Sequence, residues 1–228
     1  MANQGLDYNV DLVMCIDGTA SMSPYIAEVK DNALTFYQKF KAAMEAEHKM
    51  VNQLRVKVIV FRDYGIDAQP MVESKFFSLG GGNTPDESAE FQAFVNGIEA
   101  CGGGDTPENA LEALALAFNS DWVRTGAVRR HVIHVYTDAA ALPLQARAGK
   151  GGYPEDMPAD LDELQEMWEG QVMEPRAKRL QIFAPNVEPW TTGFSDWTNT
   201  IVTDSPAGTG LPELDVATCI KLLVKSIG

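Results

Sequence analysis

Three oxygen-bearing side chains, Asp17, Thr19 and Ser21, alternate in the short segment DGTAS that follows the apolar run YNVDLVMCID. Side chains two apart in extended backbone face the same way, so one carboxylate and two hydroxyls can converge on a single point. Two more segments carry similar chemistry: Asp105-Thr106, after a glycine-rich turn, and Asp138, closing the run RHVIHVYTD. Carboxylates and hydroxyls with no thiol or imidazole among them are hard ligands, suited to Mg²⁺ or Mn²⁺ rather than zinc. The same residue types also build turns and helix caps. Thr106 reads equally as the cap of a helix, a role compatible with ligation. Thr84, in the parallel segment GGGNTPDE, is its rival; Thr106 is preferred because its helix leads directly into the strand that ends at Asp138.

The elements around these segments must hold them together. Tyr8 to Asp17 is a continuous β-rich run of the kind buried on both faces of a parallel sheet. Pro24 suits a first helical position, and Ile26, Val29, Ala33, Phe36, Phe40 and Met44 follow at helical spacing. Arg55 to Tyr64 returns to strand character, and Glu73 to Leu79 is a weaker strand candidate. GGGNTPDE and GGGDTPEN each predict a helix start, with a capping Thr, Pro at the first position and acids in the first turn. A strand over Arg130 to Asp138 comes next, then a short acidic helix over Ala159 to Glu169. Strands over Arg179 to Pro185 and Ile201 to Asp204 and a closing helix over Leu214 to Ile227 complete the chain. Strands alternating with helices imply an α/β fold of the three-layer, Rossmann-like type: a mostly parallel central sheet flanked by helices. No linker divides the chain, so residues 1–228 are expected to form a single domain. In such sheets ligands bind beyond the carboxyl ends of the strands, where Asp17, Thr19, Ser21, Thr106 and Asp138 all fall.

Composition narrows the partners. The 228 residues carry 18 Lys+Arg against 32 Asp+Glu, a net charge of −14, which disfavours nucleic acid and anionic membrane surfaces. No apolar run reaches the ~20 residues of a transmembrane helix. The opening MANQGLDYNVDLV lacks a basic segment followed by an apolar one, so a cytoplasmic location is expected. Cys15, Cys101 and Cys219, odd in number and far apart, read as buried reduced thiols.

At DGTAS, GGGDT and YTD the chain resembles a von Willebrand factor A domain with its metal-ion-dependent adhesion site, usually Asp-x-Ser-x-Ser with a distant Thr and a distant Asp. The resemblance spans nearly the whole chain. Among such domains it looks most like intracellular ones attached to α-kinases, through FRDY (Phe61 to Tyr64), GGGDTPE and YPED (Tyr153 to Asp156). The kinase module itself is absent from the sequence. The resemblance implies that Thr19 and Ser21 coordinate Mg²⁺ or Mn²⁺ directly and that Asp17 and Asp138 hold metal-bound waters or coordinate weakly. Thr106 would be a switchable ligand, and a Glu or Asp of a protein partner would complete the ion; whether that partner belongs to a multiprotein complex is left open by the sequence. It also implies a shift of the last helix on binding. The pattern departs from the family in Thr19 for Ser, in Ala20 for a frequent Gly, and in AAAL after Asp138, where α-kinase relatives carry Pro and His.

Other residues admit two readings each. Asp63 is a carboxylate behind the ligands or a strand-end ion pair, and Asp105 is a loop or first-turn charge in preference to a ligand. His131 and His134, at odd spacing on one strand, face opposite sides and read as packing histidines in preference to catalytic ones. Trp190 and Trp197 line a partner surface or pack on the sheet edge. Glu155 and Asp156 lie on a solvated acidic face or hold a second cation. The function expected is metal-dependent protein binding without catalysis. One alternative is a metal-dependent, phosphatase-like hydrolase, disfavoured because Thr19 stands where such an enzyme needs a second Asp. The other is a scaffold whose metal site is vestigial.

Overall fold

A computed structural model describes residues 7–81, 84–103, 107–170 and 173–227. Seven strands form one sheet: β1 (Asp7–Asp17), β2 (Met50–Phe61), β3 (Met71–Glu73), β4 (Phe77–Leu79), β5 (Val128–Tyr136), β6 (Lys178–Ala184) and β7 (Thr200–Asp204). Their order is β3-β2-β1-β5-β6-β7, with β4 also paired to β2. The pairs β1–β2, β1–β5, β5–β6 and β6–β7 are parallel; β3 and β4 run antiparallel on the β2 edge. Six helices cover the two faces: α1 (Ser23–Asn32), α2 (Phe36–Ala46), α3 (Ser88–Asn96), α4 (Ala110–Phe118), α5 (Leu161–Glu169) and α6 (Val216–Ser226). The expected three-layer α/β architecture with a mostly parallel sheet is therefore the one observed.

Alternation along β1 feeds two cores. Val10, Leu12, Met14 and Ile16 pack with α1, α2, α3 and α6, while Val13 and Cys15 pack with α4 and α5. This two-sided burial is why β1 reads as an unbroken apolar run.

Several boundaries differ from expectation for local reasons. The helix expected to run unbroken through Met44 is split by a 3-10 turn at Ala33–Thr35, where the Asn32 side chain bonds back to Glu28 O at 2.8 Å and competes with the helical ladder. Thr84 and Pro85 do not open α3, which starts at Ser88 after Glu87; Asp86 Oδ1, one residue before the cap position, accepts from Ser88 N at 3.1 Å. α4 begins at Ala110 rather than beside Pro107, because Glu108 is drawn into a parallel bridge with Ala141. Its N–H donates to Ala140 O and its carbonyl accepts from Leu142 N. The single strand expected over Glu73 to Leu79 is two, because Ser74 turns the chain and its hydroxyl accepts from Val58 N. Cys15 and Cys219 are buried free thiols as expected, but Cys101 is exposed: it lies on a surface loop, tied through its backbone N–H to Gly18 O.

Phe118 is fully buried on the α4–α5 side, its ring centroid 5.2 Å from that of Trp168 and 6.3 Å from that of Trp197. Phe118→Ala should lower the stability measured by urea unfolding by about 3–5 kcal/mol. An unchanged midpoint would show that this aromatic cluster is not what fastens α5 to the sheet.

Candidate metal centre

β1 ends on Asp17, whose side chain is fully buried, and Gly18 N still bonds to Phe61 O at the end of β2 at 2.9 Å. The Asp17 carboxylate organises the loop beyond it. Its Oδ1 accepts from Thr19 N at 2.9 Å and from Thr19 Oγ1 at 2.6 Å, and its Oδ2 accepts from Thr137 Oγ1 at 2.7 Å. Thr19 Oγ1 lies 3.2 Å from Ser21 Oγ, which donates to Asp138 Oδ1 at 3.0 Å. Asp138 Oδ2 accepts from Gly210 N at 2.7 Å. Thr137 and Thr19 thus bond to Asp17 and Ser21 bonds to Asp138, and the two hydroxyls of the β1 loop meet between the two carboxylates.

Four of the five expected site residues are brought together: Asp17, Thr19, Ser21 and Asp138. The fifth, Thr106, lies outside the described residues, as does Asp105. Thr19, Ser21 and Asp138 line an open cavity of about 460 Å³ together with Gly103 and Glu108. Gly103 has φ +76°, and a Cβ there would sit 2.8 Å from Thr19 Cβ; Gly210 has φ +70°, and a Cβ would sit 2.1 Å from Ser21 O. Both glycines allow loops to close onto the site that no larger residue permits.

Three contributors escaped sequence reasoning. Thr137 reaches Asp17 from the position just past β5, visible in YTD only once Asp17 is known to be its neighbour. Glu108, 1 % exposed beside the cavity, was expected to be a helix-turn acid. Arg62, 3 % exposed, holds the loops from behind. Its Nε donates to Gly18 O at 2.9 Å and Cys101 O at 3.1 Å, its Nη1 to Gln69 O at 2.8 Å and its Nη2 to Glu99 O at 2.5 Å. One guanidinium thereby joins the β1 loop, the loop after β2 and the glycine-rich loop after α3.

The remaining candidates take their structural readings. Asp63 is 1 % exposed and paired with Arg147. His131 bonds to Val123 O and His134 to Tyr136 Oη, on opposite faces of β5. Burial holds both imidazoles below the usual histidine range, His134 at about 3. Trp190 donates to Ala139 O and, with Trp197, packs on Phe194 inside the core. Glu155 and Asp156 are exposed.

Among the described residues no three His, Cys, Asp or Glu side chains gather as a metal cluster. Two carboxylates and two hydroxyls make up the centre. Burial raises the Asp17 carboxyl to about 6, against the donors from Thr19 and Thr137 and with further upward pressure from Asp138.

No protein-family model and no curated protein matches the chain. Among solved structures it is similar to the pilus adhesin SpaC from Lactobacillus rhamnosus GG, with TM-score 0.52 and 10 % identity over 96 % of this chain. The same adhesin in its open conformation gives 0.49 and 11 %, again over 96 %. The chain spans 30 % of the adhesin's length. At this identity the likeness is one of fold.

Two outcomes are expected from the geometry. A carboxyl whose folded pKa is raised favours folding when protonated, so Asp17 opposes folding at neutral pH by about 3 kcal/mol and that opposition fades as pH falls through about 6. In chelator-treated protein, the melting temperature of wild type minus that of Asp17→Asn should therefore rise between pH 8 and pH 5; a flat difference would refute the raised pKa. Arg62→Met takes the guanidinium donor from the Cys101, Gln69 and Glu99 carbonyls, while Gly18 O keeps Cys101 N, and should lower the stability seen in urea unfolding by about 2–3 kcal/mol. A loss below about 1 kcal/mol would show that the loops hold without it.

Proposed function

We propose that this chain is a von Willebrand factor A-type module that binds Mg²⁺ or Mn²⁺ and docks a carboxylate of a protein partner on the ion. The observation that carries the reading is the disposition of two hydroxyls. Thr19 Oγ1 directs its proton to Asp17 and Ser21 Oγ directs its proton to Asp138, which leaves oxygen lone pairs of both for a cation. Their separation of 3.2 Å is close to the roughly 2.9–3.0 Å between neighbouring ligands of an octahedral Mg²⁺ with bonds of about 2.0–2.1 Å. In this reading Thr19 and Ser21 hold the ion directly, Asp17 and Asp138 position them and accept from bound water, and Thr106 joins from the glycine-rich loop, as the resemblance implies. When bound, the cation supplies a coordination position for an outside Glu or Asp.

Binding is favoured over catalysis because the two buried histidines, the side chains best suited to proton transfer, are engaged in packing contacts with Val123 O and Tyr136 Oη. A protein rather than a membrane partner is consistent with the described helices, none of which is long and apolar enough to cross a bilayer. Free thiols at Cys15 and Cys219 favour a reducing, cytoplasmic setting.

Thermal unfolding with and without millimolar Mg²⁺ or Mn²⁺, at matched ionic strength, tests the reading. A ligand at about 100 times its Kd adds about 2.7 kcal/mol, a rise of about 5–10 °C for a domain of this size. That rise should vanish in Ser21→Ala and Asp138→Ala. Equal responses in wild type and variants would mean general screening of a −14 chain and would sink the proposal. For the partner, a Glu→Gln change in its docking residue should abolish metal-dependent capture.

A further inference from the structure

Far from the metal centre, at the amino ends of β5 and β6, two guanidiniums lie side by side. Arg179 Nε donates to Ser226 O at 3.0 Å and Arg130 Nε to Ile227 O at 2.9 Å, so both sit at the carbonyl end of α6. Each also directs Nη1 to backbone: Arg179 to Arg176 O and Lys178 O, Arg130 to Arg129 O. Among the described residues neither Nη2 has an acceptor, and no carboxylate pairs with either arginine or with Lys225. This is unexpected in a chain with 32 acids and 18 cations. Burial and the neighbouring Arg130 charge both hold Arg179 below the usual arginine range, the mark of a like-charged pair with no counter-ion.

Arg179 and Lys225 border a cavity of about 310 Å³ whose wall includes Gln181, Thr200 and Ser226. Gln181 is 6 % exposed, its Nε2 donates to Leu222 O at 3.2 Å, and its Oε1 finds no donor among the described residues. Capping the α6 carbonyls explains the Nε contacts. It does not explain a guanidinium edge of Arg179 without an acceptor among the described residues, the exposed Lys225 ammonium and an orphaned buried acceptor around one cavity, with the Arg130 guanidinium beside it over the Tyr8 ring.

We propose that this pocket binds a phosphate group, as free phosphate or as the phosphomonoester of a small molecule. The Arg179 guanidinium and the Lys225 ammonium together match a group carrying about −1.5 to −2 charges better than a lone carboxylate, and a guanidinium edge fits its oxygens. A hydroxyl of the ligand, or a protonated phosphate oxygen, gives Gln181 Oε1 its missing donor. The cavity lies at the small end of the range for small-molecule sites. It is independent of the metal centre.

The test titrates the chelator-treated full chain with inorganic phosphate and, separately, glycerol 3-phosphate, at constant ionic strength, following backbone amide NMR shifts. Saturable shifts confined to the neighbourhood of Thr200, Gln181 and Ser226 are expected. Lys225→Gln, which breaks no backbone contact, should weaken the apparent affinity at least threefold, and Arg179→Gln should abolish it. Tighter binding of glycerol 3-phosphate identifies a phosphomonoester; tighter binding of inorganic phosphate identifies the free ion. Absence of saturation with both probes, or equal affinity in wild type and Lys225→Gln, would overturn the proposal. Should Arg179→Gln fail to fold, the Lys225 comparison decides.

Discussion

The arrangement at the carboxyl edge of the sheet depends on one buried carboxylate. Asp17 has no exposed surface, yet both its oxygens are occupied: one by the backbone and hydroxyl of Thr19, the other by the hydroxyl of Thr137. A buried charge is tolerated only with partners of this kind. Satisfying it dictates the path of the β1 loop and the orientation of two hydroxyls, and it joins β1 to the end of β5. Its raised pKa records how incompletely the donors offset desolvation. A positive charge brought beside Asp17 would offset the desolvation that burial imposes on the carboxylate, which is the physical basis of the cation binding proposed above.

Arg62 complements Asp17 from the opposite side. It is a buried cation with no carboxylate at hydrogen-bond distance among the described residues; four backbone carbonyls from three loops take its place. Moving any one of the three loops breaks a charge-assisted bond to the shared guanidinium, so the loops are tied to one another. The loops thus form a rigid cradle above the sheet, while the cavity between them stays open.

Charge is distributed unevenly along the strand direction. The carboxyl ends of β1 and β5 present Asp17 and Asp138 with hydroxyl partners. The amino ends of β5 and β6 present Arg130 and Arg179, which serve the α6 carbonyls and have no carboxylate partner among the described residues. A chain of −14 net charge therefore keeps a local cationic pocket at one end and an oxygen-lined cavity at the other.

Much of this was legible in the residues. Apolar runs such as YNVDLVMCID identify strands because a parallel sheet covered on both sides leaves no polar face, and their alternation with helical periodicity identifies the fold class. The alternation Asp17, Thr19, Ser21 arises from local backbone geometry, so the grouping of those three could be read directly. Local chemistry also misled: Thr84 and Pro85 carry a helix-start signal, but α3 starts at Ser88, and Glu108 leaves its helical turn for a bridge to the distant Ala141. Only tertiary structure could decide that Thr137 completes Asp17 across 120 residues, that Arg62 gathers three loops, and that Arg130 and Arg179 meet at the end of α6. Those contacts join segments far apart in the chain, and no periodicity or spacing encodes a partner that only folding brings within hydrogen-bond reach.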